Sequence, residues 1–253
     1  MKREEEPILQ LEGLSFGFET AKPILKEISF AIERGSLSLI TGPNGSGKSL
    51  LLKCIKGLLK PTAGTILLEG EDLTHHGKAR LRSIGLVFQD SETQIVGQTV
   101  ERDILFGLEN LQLPLPVQRQ RLDDVVALLD LTKQLKQRPR ALSGGEKRRL
   151  SIAGVLVMEP KLLIMDEPFA NLDYPSVVQV LKTLLRLRNE GHTIILVSHE
   201  VEKILAYIDK VIILEGGTVA AQGPPSLLRP LFKEHGVYVP EECALEDLTW
   251  LKP

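Results

Sequence analysis

The apolar positions of this chain fall into two patterns, short unbroken runs and helical stripes. Residues 162–165 (Leu-Leu-Ile-Met) are a fully apolar run of strand length, as expected in the middle of a parallel sheet covered on both faces. Residues 193–197 (Thr-Ile-Ile-Leu-Val) read the same way. Residues 36–41, 84–88 and 210–214 are further strand candidates, and residues 8–35 read as short strands around a turn near residues 19–23. Leu122, Val125, Val126 and Leu129 follow the i, i+3, i+4, i+7 spacing of one helical face. Pro116 is placed to open that helix. Further helices are expected over 49–59, where Gly57 and Pro61 mark the end, and over about 146–157, 175–189 and 200–207.

Strand and helix alternate at both ends of the chain, with a helical block over about 90–160 between them. That order predicts a mostly parallel α/β core carrying an inserted α-helical subdomain. The expected domains are a core unit over 1–223 and a C-terminal extension over 224–253. The extension has three prolines before residue 231 and a late Trp250, and the pattern assigns it no elements.

The 253 residues are 43% hydrophobic and 25% charged, the composition of an ordinary globular protein. A formal net charge of −2 gives no broad basic field, so no nucleic-acid partner is expected. Two cysteines, Cys54 and Cys243, make no disulfide framework and suit a reducing compartment. The stretch 1–7 lacks the apolar run of a secretion signal, and no stretch has the roughly 20 apolar residues that cross a bilayer. Any service to a membrane is therefore expected through a partner. His75-His76 invites a metal reading, but adjacent histidines in a polar loop are usually solvated.

Three motifs carry chemistry. Gly42-Pro43-Asn44-Gly45-Ser46-Gly47-Lys48-Ser49 matches G-x-x-x-x-G-K-[ST] between a predicted strand and a predicted helix. Glycines let the backbone wrap a phosphate and aim N–H groups at it, and the helix adds its positive end. Lys48 is suited to the β- and γ-phosphates and Ser49 to Mg2+. The run 162–165 ends in Asp166 and Glu167. Asp166 would complete a Mg2+ shell, and Glu167 would position the attacking water or take its proton. Leu142-Ser143-Gly144-Gly145-Glu146 reads first as a capping box. A capping box does not need two glycines, and Gly144 and Gly145 leave bare N–H groups, an anion site. One chain has no use for two such sites on one nucleotide. A second copy, packed head to tail, does.

In order and spacing these motifs resemble those of ABC ATPases over nearly the whole chain. The resemblance implies a P-loop NTPase core with an N-terminal antiparallel β subdomain, and a sandwich of two subunits binding ATP and Mg2+. Each nucleotide would lie between the phosphate loop of one chain and Ser143, Gly144 and Gly145 of the other. Gln89 matches the Q-loop glutamine, which would touch Mg2+ or water and couple to the membrane partner. Asp173 matches the D-loop, which crosses the dimer interface. His199 matches the histidine that contacts the γ-phosphate. Phe18 matches the aromatic that stacks on adenine, with Phe16 as a competitor. Glu146, Phe169 and Asn171 stand where Gln, Thr and Gly are commoner, and none of these removes a catalytic group.

The stretch 88–107, with Gln94 as a second glutamine, is similar to the Q-loop region of energy-coupling-factor importers, including the cobalt-transport type. Those take up vitamins or transition-metal ions. They join two ATPases to a membrane coupling protein and a substrate-binding membrane protein, at the cytoplasmic face. A soluble ABC ATPase in cofactor assembly is the alternative, and a non-catalytic nucleotide switch is counted against by Glu167 and His199. The tail 224–253 is expected to contribute dimer contacts, from its Trp and apolar residues.

Overall fold

The computed structural model describes residues 6–19, 22–240 and 242–251. Most of the stretch 1–7, residues 20 and 21 of the expected turn, and tail residues 241, 252 and 253 lie outside these. Strands β1 (Leu9–Phe16) and β2 (Leu25–Ile32) form an antiparallel hairpin. Strand β3 (Leu37–Thr41) leads into helix α1 (Lys48–Lys56), which Gly57 ends in a left-handed conformation. Strands β4 (Ala63–Leu68) and β5 (Glu71–Asp72) return to the hairpin, giving a four-stranded antiparallel sheet of order β2-β1-β4-β5. Helix α2 (Gly77–Ser83) then precedes β6 (Ile84–Val87).

The helical block contains α3 (Ser91–Gln94), α4 (Val100–Asn110), α5 (Leu115–Leu128) and α6 (Gly144–Leu156). Leu122, Val125, Val126 and Leu129 are all buried, as their spacing predicts. The chain re-enters the core through β7 (Leu162–Asp166), α7 (Tyr174–Asn189), β8 (Ile194–Val197), β9 (Lys210–Glu215) and β10 (Thr218–Gly223). A short helix, α8 (Pro225–Leu228), opens the tail. The second sheet has the order β10-β9-β3-β8-β7-β6, parallel except for β10 on one edge.

This parallel sheet separates two hydrophobic cores. Leu163 and Met165 of β7 face the helical block and α7, while Leu162 and Ile164 face α1 and the antiparallel sheet. Strands apolar at every position are what such a two-sided setting demands. Full burial of each such side chain contributes about 1.5–3 kcal/mol.

The structure departs from the sequence pattern in two places. The helix expected over 200–207 is two 3-10 turns, Val201–Lys203 and Leu205–Tyr207. The tail is the reason: Ala206 N–H donates to Leu248 (3.1 Å) and Trp250 N–H donates to the Lys203 carbonyl (3.1 Å). Backbone groups bonded to another segment cannot also make an α-helical ladder. Strands β4, β5 and β10 and helix α2 were also not anticipated. The strands are short or rich in small and polar residues and are fixed by pairing with β1, β4 and β9, while α2 is anchored by its buried Arg80, which donates to the Thr74 carbonyl (2.7 Å).

Candidate nucleotide site

The loop 42–47 turns between β3 and α1 on three left-handed glycines, Gly42 (φ 138°), Gly45 (φ 80°) and Gly47 (φ 102°). Gly42 has a second reason: a Cβ there would sit 2.0 Å from the Leu214 carbonyl oxygen. Gly47 is the N-cap of α1 and offers no side chain to its first N–H groups. Those groups are left for another acceptor. Lys48 folds over the loop, its Nζ donating to the carbonyls of Gly42 (2.7 Å) and Pro43 (3.0 Å). Burial pulls its ammonium below the usual value, against the opposing pull of Glu167 and Asp166. Ser46 is buried, and its hydroxyl has no partner among the described residues. Such a hydroxyl beside the uncapped N-terminus of α1 fits a phosphate oxygen.

The C-terminal ends of β7 and β8 supply the opposite wall. Asp166 ends β7, and burial followed by the Glu167 charge pushes its carboxyl up. Glu167 is buried and left-handed (φ 45°), a conformation rare outside glycine, Asn and Asp. Its N–H donates to Val197 (2.8 Å). The Ser198 hydroxyl donates to one carboxylate oxygen (3.0 Å), and His199 Nδ1 lies 2.8 Å from the other. With both oxygens held, this carboxylate is oriented before any substrate arrives.

Asn44, Gly45, Gly47, Lys48 and Ser49 thus share one cleft of about 430 Å3 with Gln89, Asp166, Glu167 and His199. Gln89 is held through its backbone: the buried Arg148 of α6 donates to the carbonyls of Phe88 (2.7 Å) and Gln89 (2.6 Å). Gln94 adds a second tie, accepting from Phe88 N–H (2.9 Å) and donating to the Ser151 carbonyl (2.9 Å). The stretch 88–94 therefore rides on α6, the helix that Ser143 caps.

Seven expected residues lie outside the cleft lining: Gly42 and Ser46 within the loop itself, and Phe18, Ser143, Gly144, Gly145 and Asp173. Ser143 caps α6, accepting from Glu146 N–H (3.2 Å), while Glu146 accepts from Ser143 N–H (2.8 Å). The capping box is complete. A Cβ on Gly145 would sit 2.9 Å from Ser176 Cβ, and one on Gly144 would sit 3.2 Å from a Leu172 methyl. Close packing against the start of α7 is thus a further reason for both glycines. Asp173 is the exposed N-cap of α7, accepting from Ser176 N–H (3.1 Å). Phe18, 74% exposed, also stands off the cleft, edge-on to Phe16, which is buried in the core. Phe18 is therefore the ring free to meet a ligand. Asn171 is left-handed (φ 60°), which accounts for an Asn where Gly is commoner.

The sequence reading missed Ser198 and Arg148. A hydroxyl beside His199 at a strand end was a usable signal for the first. Arg148 gave none, since its targets are backbone carbonyls 60 and 59 residues away.

The family model described as ABC transporter matches residues 25–170. The chain belongs to the ABC transporter family. It is 38% identical, over 93% of each chain, to the energy-coupling factor transporter ATP-binding protein EcfA of Methanosarcina acetivorans. It is 34% identical, over 97% of each, to EcfA1 of Enterococcus faecalis. Among solved structures it is similar to CbiO1 of Clostridium perfringens, part of the ABC transporter complex CbiONQ. That match has a TM-score of 0.84 and 35% identity, covering 93% of this chain and 97% of that one. It is also similar to an ABC cassette in its ADP conformation, with a TM-score of 0.82 and 26% identity, covering 92% of this chain and 97% of that one. As an ABC ATPase of energy-coupling-factor type, the chain is a nucleotide-binding enzyme. No helix among the described residues is long and apolar enough to cross a membrane.

Proposed function

We propose that the cleft binds MgATP, that a second ABC ATPase chain closes over it, and that closure and hydrolysis drive uptake of a vitamin or transition-metal ion. The observation that carries this is Glu167, held at both oxygens in the cleft that Lys48, Ser49 and Asp166 share. In the reaction a water oxygen bonds to the γ-phosphorus, and the bond to the β-phosphate oxygen breaks. Glu167 orients that water or takes its proton. His199, fixed against Glu167, reaches the γ-phosphate. Lys48, Ser46 and the amides of Gly42, Asn44, Gly45 and Gly47 bind phosphate, and Phe18 stacks on adenine.

Mg2+ would be held by Ser49, Asp166 and Gln89, where it offsets charge on the phosphate oxygens. These oxygen donors fit a hard ion that takes one or two carboxylates and fills its shell with phosphate and water. A cage of several acidic residues is not needed, and among the described residues there is none.

Ser143, Gly144 and Gly145 act in the partner's site, and Asp173 crosses the interface. Residues 1–223 are the ATPase domain, with the helical subdomain at about 90–160. The extension 224–253 presents Leu227 and Tyr238, 71% and 73% exposed, as candidate dimer contacts. A groove of about 680 Å3 lined by Val96, Gly97, Arg138 and Arg140 lies next to the Q-loop. Together with exposed Phe88, it is our candidate seat for a membrane coupling protein, itself joined to a substrate-binding membrane protein. The chain would then sit peripherally at the cytoplasmic face.

The test is to isolate tagged Glu167→Gln protein with ATP from detergent-solubilised native cells. An ATP-dependent ATPase dimer with a polytopic membrane protein is the expected result. Recovery of soluble partners alone would remove the transport reading and leave the ATPase. Normal turnover by Glu167→Gln with its partner would remove the role given to that residue.

A further inference from the structure

The last described turn of the tail lies against three segments of the nucleotide site at once. Lys203 is 4% exposed, four residues after His199. Its ammonium lies 4.6 Å from the centre of the Trp250 ring and 5.9 Å from that of Phe169, and it pairs with Glu200. Phe169, itself 1% exposed, is two residues after Glu167. The Trp250 ring also lies 5.4 Å from Tyr174, whose hydroxyl donates to the Trp250 carbonyl (3.3 Å). Tyr174 directly follows Asp173. The backbone of 248–250 completes the join through Ala206 and Lys203.

A buried ammonium must be partnered, and an indole face is the strongest aromatic partner it can have. We infer that Trp250, acting through Lys203, is a positioning residue for hydrolysis: it holds the His199 loop, the Glu167–Phe169 turn and the D-loop in one arrangement. This rests on the ATPase reading above. The contacts explain the Phe169 that stands where Thr is commoner, because a threonine offers Lys203 no ring. They also explain why the tail displaces a helix at 200–207. The brace touches the catalytic loops and leaves the phosphate-loop residues and Phe18 alone, so it bears on turnover rather than on nucleotide capture.

The test uses the full chain co-purified with its partner subunits, at saturating ATP, comparing parent, Trp250→Ala, Trp250→Phe, Lys203→Met and the Trp250→Ala/Lys203→Met double variant. Affinity for a non-hydrolysable ATP analogue is measured separately on each. We expect kcat to fall about ten- to a hundredfold in Trp250→Ala, up to the loss that a misplacement of about 1 Å causes, with analogue affinity kept. Trp250→Phe is expected to recover most of the rate. Lys203→Met should match Trp250→Ala, and the double variant should lose no more, as coupled residues do. Unchanged kcat in Trp250→Ala would overturn the brace. So would a kcat loss matched by an equal loss of analogue affinity, or a double variant in which the two losses multiply. A parent inactive even with its ATPase and membrane partners present would instead remove the ATPase reading, so the two failures are distinguishable.

Discussion

Two helices of this protein begin with glycine-rich turns, and they end up in opposite electrostatic conditions. At α1 the N-cap is Gly47, which gives no side-chain cap, and the neighbouring Ser46 hydroxyl is buried without a partner among the described residues. At α6 the N-cap is Ser143, with a complete capping box, and Glu146 brings a carboxylate to the helix end. Both ends carry the positive pole of a helix. One is left open toward a cleft walled by Asp166, Glu167 and His199. The other is satisfied within its own turn, packed on Ser176 and Leu172, and away from that cleft. The lesson is that a helix N-terminus makes a site through what surrounds it. The first opens into a cleft formed within one chain. The second has a ligand only if another chain brings one.

The largest expected effect removes the wall that the first end faces. Glu167→Gln should retain nucleotide binding and lose turnover by about 10²–10⁴-fold, the range for a positioned general base. Steady-state phosphate release beside an equilibrium nucleotide titration checks this. Lys48→Ala should instead weaken binding itself. Loss of a charged hydrogen bond of about 1.5–3 kcal/mol predicts roughly a 10- to 150-fold rise in Kd by titration. If Lys48→Ala spared affinity, the contrast between the two helix ends would lose its main support.

The second end should respond through stability. Gly145→Ala forces a methyl to 2.9 Å from Ser176 and should cost about 1–3 kcal/mol, as overpacking does, read as a lower Tm. An unchanged Tm would leave the anion-site reason for Gly145 as the stronger one. The smallest effect concerns Glu146, whose carboxyl is held below its ordinary value chiefly by the Ser143 N–H, with further help from Gln134. A depressed folded value means that its stabilisation is present above the unfolded carboxylate value of about 4.3 and lost as pH falls through the folded value. In Glu146→Gln an amide oxygen still accepts, so at neutral pH the change should stay below about 1 kcal/mol. Melting temperatures of parent and variant should converge in acid.

The sequence by itself determined the local chemistry. The phosphate loop, the apolar run ending in Asp166-Glu167 and the Ser143–Glu146 cap were legible because each is a short contiguous pattern tied to one strand or helix end. The alternation of strands and helices likewise implied the parallel core. What only the tertiary structure decided is where distant residues meet. It chose Phe18 over Phe16 as the exposed ring, since one packs in the core and the other does not. It placed Ser198 on Glu167 and Arg148 on the Phe88 and Gln89 carbonyls. It turned the segment 200–207 from an expected helix into two short turns, because tail backbone 42 and 47 residues further on takes its hydrogen bonds. Local propensity acts over one or two turns of chain, whereas these contacts join segments tens of residues apart, and their energies exist only once the core has brought them together.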